Sequence, residues 1–497
     1  MARARAVVIG AGIGGLAAAA GLCAAGWEVT ACERAASVEP VGAGLALAPN
    51  GLRALDAFGA GDALRKLAVT QELGIRRADG RWLTRSSSGR MIADRFGDPV
   101  IVVPRAAVID ALTARVPAGV LSLATEVTSV APGGKAVARV STTAGELEAD
   151  LVVAADGIGS ATRTALFPGH QGPRYAGITA WRLLTGPVTG PVPMAESWGR
   201  GTVFGVMPLA GGPVYCYATA AADPGTRADD ELAELVRLFG TWHEPIPRLL
   251  AAAAPRDVLR HDVAELAAPL PSFHGGRVAL LGDAAHPMAP NLGQGACQAL
   301  EDAAVLSLLA AVRDPDTVTV MLDRYTAARL ARTTDVVRWS RRIAAMTTWS
   351  SPAAVAFRDT VTWLAGRLAA GAELRAVAHV YGWQPPRPAE LGRQADRRVT
   401  AVAAGAAKHP LCLRGAEAPG RVLAEQAADH RPQQRPGMSG ELRFVRDGSA
   451  QAGRCVAVSV KGGVPLDRRV QQGTQRPQVL RRAGLPAVGS LGSDVRR

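Results

Sequence analysis

Residues 6–15 read AVVIGAGIGG, and no other stretch restricts the possible folds of this chain so tightly. A short β-branched run ends on Gly10-x-Gly12-x-x-Gly15, which opens an Ala-rich helical stretch at 16–26 and leads to a second strand pattern, WEVTACE, at 27–33. Gly10 permits the tight turn, Gly12 lets a pyrophosphate approach the backbone, and Gly15 lets helix and strand pack; Gly14 lies in the same loop. The helix N-terminus adds free N–H groups and partial positive charge. Glu33 stands 21 residues beyond Gly12, at the end of the second strand, where a carboxylate accepts both ribose hydroxyls. Strand, glycines, helix and acid in this order predict a dinucleotide-binding βαβ unit; a packing turn with an incidental surface acid is the competing reading. Arg34 is placed either to reach the adenosine or to be solvated. Arg3 and Arg5 before the apolar stretch 6–26 also imitate a signal or anchor, but Gly10, Gly12, Gly14 and Gly15 interrupt it and a strand follows, so no membrane span is expected.

The formal charge of +13 suggests a polyanion partner until it is located. Residues 391–497 carry 19 Lys/Arg against 8 Asp/Glu, so +11 belongs to the tail and residues 1–390 are left with +2. The tail has a single aromatic, Phe444, and no run of basic residues longer than two, which argues against a nucleic-acid or membrane-surface binder. Its mixed Arg, Gly, Ala, Gln and Pro content predicts low order. The six cysteines (Cys23, Cys32, Cys216, Cys297, Cys412, Cys455) form no CxxC pair and have no histidine at ligand spacing, so free thiols in a reducing cytoplasm and no metal are expected.

Two further buried-type strands end in an acid beside glycine, ADLVVAADG (149–157) and GRVALLGD (276–283). Residues 174–270 differ, with short alternating strands such as TVFGVMPL and PVYCYAT between Gly/Pro turns. Helical spacing takes over from Ala299, includes a long helix from about Met321 to Met346, and stops near WQPPRP at 383–388. The expected architecture is α/β: a Rossmann-like dinucleotide-binding domain in two parts (1–173 and 271–390, the second with the C-terminal helices), which the family resemblance below makes the FAD-binding domain, an inserted mixed or antiparallel-sheet domain (174–270), which it makes the substrate domain, and a basic low-order tail (391–497).

Residues 282–303, GDAAHPMAPNLGQGACQALEDA, hold a second ligand-shaped run. Asp283 is placed to accept from a hydroxyl, and after the bend at Pro290 the sequence Gly293-Gln294-Gly295 opens a helix whose N–H groups face an electron-rich ring carbonyl. A reduced flavin, negative on its pyrimidine edge, is the matching ligand; an Asp cap on a loop is the plain alternative. His286 and Pro287 are expected to shape the bend.

GAGIGG (10–15), VVAADGIGSATR (152–163) and the run at 282–303 together resemble the single-component FAD-dependent aromatic monooxygenases, the group that includes para-hydroxybenzoate, salicylate, 3-hydroxybenzoate and urate hydroxylases. The resemblance spans about residues 4–390. It implies that Asp156 and Gly157 serve both FAD and nicotinamide, that Asp283 contacts the flavin ribityl chain, that Arg105 lies near the diphosphate, and that Arg163 closes the second signature. It also places Gly42 and Ala43 beside the isoalloxazine and Val127 near the adenine. The implied chemistry uses NADH or NADPH, FAD and O₂ to hydroxylate a small aromatic or heteroaromatic substrate through a flavin hydroperoxide. A reductase, an epoxidase or a halogenase of the same fold is the alternative, although no WxWxIP segment is present. Tyr215 and Tyr217 alternate along one strand and so share a face, which makes them, or else their intervening neighbours, the cavity residues. Tyr215 resembles the tyrosine that urate enzymes place near substrate, while their partner arginine falls near Thr202, with Arg200 close by. Trp181 and Trp198 are expected in the core rather than stacked on a ring. The resemblance leaves a homodimer open.

Overall fold

The computed structural model describes residues 3–387 except 39–43, 70–72, 87, 135, 313–314 and 369–371. The tail at 391–497 and the expected flavin contacts Gly42 and Ala43 lie outside the described residues.

The first βαβ unit forms as its sequence predicts: strand Arg5–Ile9, helix Ile13–Ala24, strand Glu28–Cys32. These strands sit inside a six-stranded sheet ordered Leu121–Ser122, Glu28–Cys32, Arg5–Ile9, Leu151–Ala154, Val278–Leu280 and His274–Gly275. The first five run parallel and the last is antiparallel. Parallel strands are covered on both faces, which is why they read as continuous apolar runs; Leu151, Val152, Val153 and Ala154 are wholly buried. Each such Leu or Val contributes about 1.5–3 kcal/mol on burial. The register places Ile9, Cys32, Ala154 and Leu280 side by side, so the loops after three of these strands, at 10–15, 155–160 and 281–295, emerge at one end of the sheet. A three-stranded antiparallel sheet (Val127–Ala131, Ala138–Thr142, Gly145–Ala149) precedes Leu151–Ala154.

The second sheet has seven strands, ordered Leu259–Leu266, Pro173–Thr185, Val214–Ala221, Thr202–Pro208, Ala195–Trp198, Leu73–Arg77 and Trp82–Ser86. It therefore recruits two strands that lie outside 174–270. One face carries Trp181, Leu183, Phe204, Val206, Cys216 and Ala218 under the helices Glu231–Phe239 and Ile246–Ala251. By alternation the opposite face carries Arg182, Glu196, Met207, Tyr215 and Tyr217, with Arg182 in register with Tyr217, and Met207 with Tyr215.

Helices Gly295–Leu309, Val318–Thr347, Pro352–Leu368 and Ala372–Tyr381 follow. Gly295–Val312 is long and apolar enough to cross a bilayer, yet most of it is buried within the protein, its polar Gln298, Glu301 and Asp302 included.

Candidate flavin and substrate site

Steric limits separate the roles of the first-loop glycines. Gly10 has φ +94°, and a Cβ there would stand 2.7 Å from the Ala155 carbonyl oxygen. At Gly15 a Cβ would be 1.8 Å from the Gly10 oxygen, and at Gly14 it would strike the Leu281 side chain at 2.5 Å. Gly12 differs: a Cβ there meets no atom within 4 Å, on the residue that precedes the first turn of the helix with no side-chain cap. Three glycines thus serve packing, and the open one borders the uncapped N–H groups. Glu33 braces this loop, its carboxylate accepting from the Ala11 N–H at 2.7 Å and the Ala35 N–H at 3.0 Å. Arg34 is exposed. Val127 starts a strand beside them, after a segment whose Ala124 and Thr125 N–H groups donate to the Ala35 and Glu33 carbonyls.

Asp156 Oδ2 accepts from the Thr162 N–H at 3.2 Å, while Oδ1 is buried without a partner. Gly157, at φ +78°, borders open space. Arg163 is 2% exposed, which excludes the helix-surface ion pair otherwise open to it. Its guanidinium donates to the carbonyls of Ala284 (3.0 Å), Asp283 (3.3 Å) and Ile158, tying the second signature to the third. Burial pulls the Arg163 pKa down, against the pull of Asp156 and Asp283. Arg105 opens the helix Arg105–Thr113; burial and the nearby Arg182 lower its pKa, while Asp283 raises it. Arg105, Arg182 and Asp283, from three separate elements, therefore converge.

Beyond the 3₁₀ turn Pro290–Leu292 and Gly293 (φ +59°), Gln294 precedes the helix Gly295–Leu309 with no side-chain cap and no acid in the first turn. Gln294 Nε2 is buried and unpartnered, and Gly295 borders open space. Two uncapped helix N-termini, an orphaned acceptor at Asp156, an orphaned donor at Gln294 and a buried arginine are a donor and acceptor set that fits a pyrophosphate, a sugar alcohol and a ring carbonyl in sequence.

The chain matches the FAD binding domain family over residues 3–340. It is 34% identical to aurachin C monooxygenase/isomerase of Stigmatella aurantiaca over 71% of this chain and 92% of that one. It is 34% identical to 3-amino-4-hydroxybenzoate 2-monooxygenase of Streptomyces cremeus over 68% and 86%. Klebsiella pneumoniae HpxO complexed with FAD and uric acid superposes with a TM-score of 0.68 at 27% identity, covering 76% of this chain and 96% of that one. The chain belongs to the FAD-dependent aromatic monooxygenases.

In this monooxygenase the face of the second sheet that carries Met207 and Tyr215 packs toward the strand Gly44–Leu47. Tyr215 is 8% exposed, and its ring lies so close to Gly44 that a Cβ there would come within 2.3 Å. The Tyr215 and Tyr217 rings are 5.9 Å apart. Burial pushes the Tyr215 hydroxyl pKa up, and the neighbouring Arg182 guanidinium opposes that push. The Tyr217 hydroxyl donates to Glu196 at 2.8 Å, and burial together with that carboxylate raises its pKa well above the usual range. Trp181 lies on the helix-covered face with Nε1 on Glu231 at 2.7 Å, and Trp198 is buried with Nε1 on Glu196 at 2.7 Å. Arg200 is exposed and donates to the Ser350 carbonyl at 3.0 Å, whereas Arg182, which the sequence reading missed, lies beside Tyr215.

Sequence reading also missed the buried frame behind the flavin loop. His286 Nε2 and the Gly282 N–H both reach Asp302 Oδ2, Arg329 Nε donates to Asp302 Oδ1 at 2.6 Å, and Arg329 and Arg332 both donate to Glu301. Asn50 donates to Gln294 at 2.9 Å and to Glu301 at 2.7 Å. The bend shaped by His286 is thereby fixed to two helices. The signal was present: adjacent acids, Glu301 and Asp302, in an otherwise apolar helix require buried partners.

Proposed function

We propose that this flavoenzyme hydroxylates a small, electron-rich aromatic or heteroaromatic compound bearing an acidic group, consuming NADH or NADPH and O₂ and releasing water. Bound FAD supplies the redox chemistry, taking a hydride from the nicotinamide and activating O₂. Gly10, Gly12, Gly14, Gly15, Glu33, Arg34 and Val127 take the adenosine end. Arg105, Asp156, Gly157 and Asp283 take the diphosphate and sugar alcohol, and Gly42, Ala43, Pro290, Gly293, Gln294 and Gly295 take the ring. Residues 1–173 and 271–390 then form the cofactor part, and 174–270, with the strands at 73–86, the substrate part.

Arg182 carries the reading of the substrate. It shares a sheet face with Tyr217, lies beside Tyr215 and near a second cation, Arg105, and makes no ion pair with a carboxylate among the described residues. A guanidinium among aromatic and apolar side chains is stabilised by an anion that arrives with the substrate. The names of two relatives, 3-amino-4-hydroxybenzoate 2-monooxygenase and 6-hydroxynicotinate 3-monooxygenase, describe acids of this kind. A cytoplasmic setting is supported by the free thiols of Cys23, Cys32, Cys216 and Cys297; a homodimer belongs to the same reading and is tested by sedimentation.

The test is an absorption spectrum with identification of the released cofactor, followed by NAD(P)H oxidation with 4-hydroxybenzoate, 6-hydroxynicotinate, urate and the amides of the two acids. Flavin bands and stimulation by an acid but not by its amide are expected, with Arg182→Gln raising KM for the acid about 10- to 100-fold, as loss of a charge-assisted pair implies. A colourless protein that takes up no FAD, or a flavoprotein whose NAD(P)H oxidation ignores every acid in the set, overturns the proposal.

A further inference from the structure

A cleft of about 60 Å³ lies between the helix Val318–Thr347, the segment that follows the strand Leu259–Leu266, and the bend at 285–287. Leu270, Phe273, Leu330 and Val337 make it largely apolar, and the exposed Ala268 and Pro269 carry it to the surface. None of the residues assigned above to FAD, and none of those around Tyr215, lines it. At about 10–15 Å³ for each water-sized group, the space takes roughly four to six heavy atoms, the size of one ring. Two arginines at the cleft are already paired, Arg341 with Glu265 at 2.8 Å and Arg338 with Asp335 at 3.4 Å, so neither calls for an anion. The Thr333 hydroxyl is spent on the Arg329 carbonyl at 3.0 Å.

His286 also lines the cleft and is 4% exposed. Its Nε2 lies 2.5 Å from Asp302 Oδ2, and Asp302 is not part of the lining. Against burial, His286 and Arg329 hold the Asp302 pKa below the usual range, so Asp302 accepts as a carboxylate and Nε2 carries the ring hydrogen. The other ring nitrogen, Nδ1, is buried without a partner among the described residues. A buried lone pair that receives no hydrogen is costly, and the ring that bears it borders a cleft of one-ring size.

We propose that this cleft is a second binding site, which takes a single-ring phenol whose hydroxyl donates to His286 Nδ1 while its ring packs against Leu270, Phe273 and Leu330. A carboxylate is the wrong occupant, because neutral Nδ1 has no hydrogen to give it and the apolar walls would desolvate it. The site is coupled to the cofactor loop, and this coupling rests on FAD lying at 282–295 as proposed above. Asp302 Oδ2 also accepts from the Gly282 N–H at 3.0 Å, beside Asp283. A hydrogen bond received at Nδ1 polarises the imidazole and strengthens donation from Nε2 to Asp302, which holds the loop more firmly. The phenol therefore raises FAD affinity, and FAD raises phenol affinity by the same factor.

The experiment uses the full-length protein with 4-fluorophenol, counted per chain by equilibrium dialysis and fluorine NMR; 4-fluoroanisole, which lacks the O–H, is the control. The native holoenzyme should bind one more phenol per chain than Val337→Trp, whose indole fills the cleft, while FAD content and Tm stay alike. The anisole should bind the cleft about tenfold more weakly, as loss of one hydrogen bond implies. Saturating phenol should raise FAD affinity about fivefold, the low end of usual coupling between sites, in the native protein but not in Val337→Trp. Equal phenol counts in the two proteins overturn the proposal. Anisole bound as tightly as phenol overturns it too, since the cleft is then an apolar void only, and so does a native FAD affinity that phenol leaves unchanged. Should Val337→Trp lose FAD or Tm, Thr334→Trp, about one turn earlier on the same helix and also in the lining, takes its place. The phenol count is made per chain, so it decides the site whether or not an aromatic acid stimulates NAD(P)H oxidation.

Discussion

Gly12 and Gly15, three residues apart in one signature, have opposite reasons for being glycine. At Gly15 the forbidding atom is the backbone oxygen of Gly10, 1.8 Å from where a Cβ would stand, and backbone cannot rotate away as a side chain can. Gly15→Ala should therefore destabilise the apoprotein by at least ~1–3 kcal/mol, the usual cost of overpacking, with a lowered Tm before any cofactor is added. At Gly12 nothing lies within 4 Å, so Gly12→Ala should leave the apoprotein Tm nearly unchanged. On the proposed placement of the pyrophosphate at this helix N-terminus the same methyl group would obstruct it, and FAD affinity, read by quenching of flavin fluorescence, should fall by about tenfold or more, equivalent to ~1.4 kcal/mol. Equal loss of Tm in both variants would contradict this division. The pattern GxGxxG and the separate roles of Gly12 and Gly15 were legible in the sequence, but the atoms that crowd Gly10, Gly14 and Gly15, namely Ala155, Leu281 and the Gly10 carbonyl, come only from packing.

The helix Gly295–Leu309 shows what a single element must reconcile. Its apolar residues bury it, and the same burial encloses Glu301 and Asp302. Burial pushes the Glu301 carboxyl up, but Arg329 and Arg332 outweigh it and hold the pKa below the usual range; for Asp302 burial is outweighed by His286 and Arg329. Folded-state pKa values below the unfolded ones mean that this stabilisation is fully present above the ordinary carboxylate range and is lost as pH falls through the depressed values. Arg329→Met leaves two buried carboxylates short of a partner and should cost ~3–5 kcal/mol near neutral pH. Without that guanidinium, burial dominates and the two folded-state values rise, so the deficit relative to the native protein should shrink as pH is lowered toward the carboxylate range. Thermal melts over a pH series check this, and a deficit independent of pH would contradict it. The strands, loops and glycines of the cofactor site were legible because their signals are local. Arg329 was not, because its partners lie 27 and 28 residues away on another helix and only packing brings the two helices together. Glu196 was missed for the same reason, since Tyr217 is 21 residues distant and meets it only across two strand pairings.

At the scale of the molecule, the order of elements was legible and their long-range partners were not. The strands Leu73–Arg77 and Trp82–Ser86 were not singled out in the sequence, and no periodicity states that the first pairs in parallel with Ala195–Trp198, more than a hundred residues later. The C-terminal helix is another such case, lying beyond the family match that ends at residue 340. Arg53 donates to the carbonyls of Phe96, Tyr381 and Trp383, and Arg332 donates to those of His379 (2.7 Å) and Val380 (2.9 Å). Two guanidiniums thus satisfy the carbonyls at the end of the helix Ala372–Tyr381, where the helix dipole also favours positive charge. Arg332 simultaneously holds Glu301, so this helix is coupled to the frame behind the flavin loop. Ending the chain after residue 370 should strip these acceptors from both arginines, at ~1.5–3 kcal/mol for each hydrogen bond to a charged group, and lower both Tm and FAD retention. Ending it after residue 390 should spare them all while removing +11 of the formal +13 charge. The longer truncation product should then keep native Tm and FAD content and lose retention on heparin. Retention that persists after the tail is gone would place the anion-binding surface on the nearly neutral body, where a local cluster such as Arg105 and Arg182, rather than net charge, would have to supply the field.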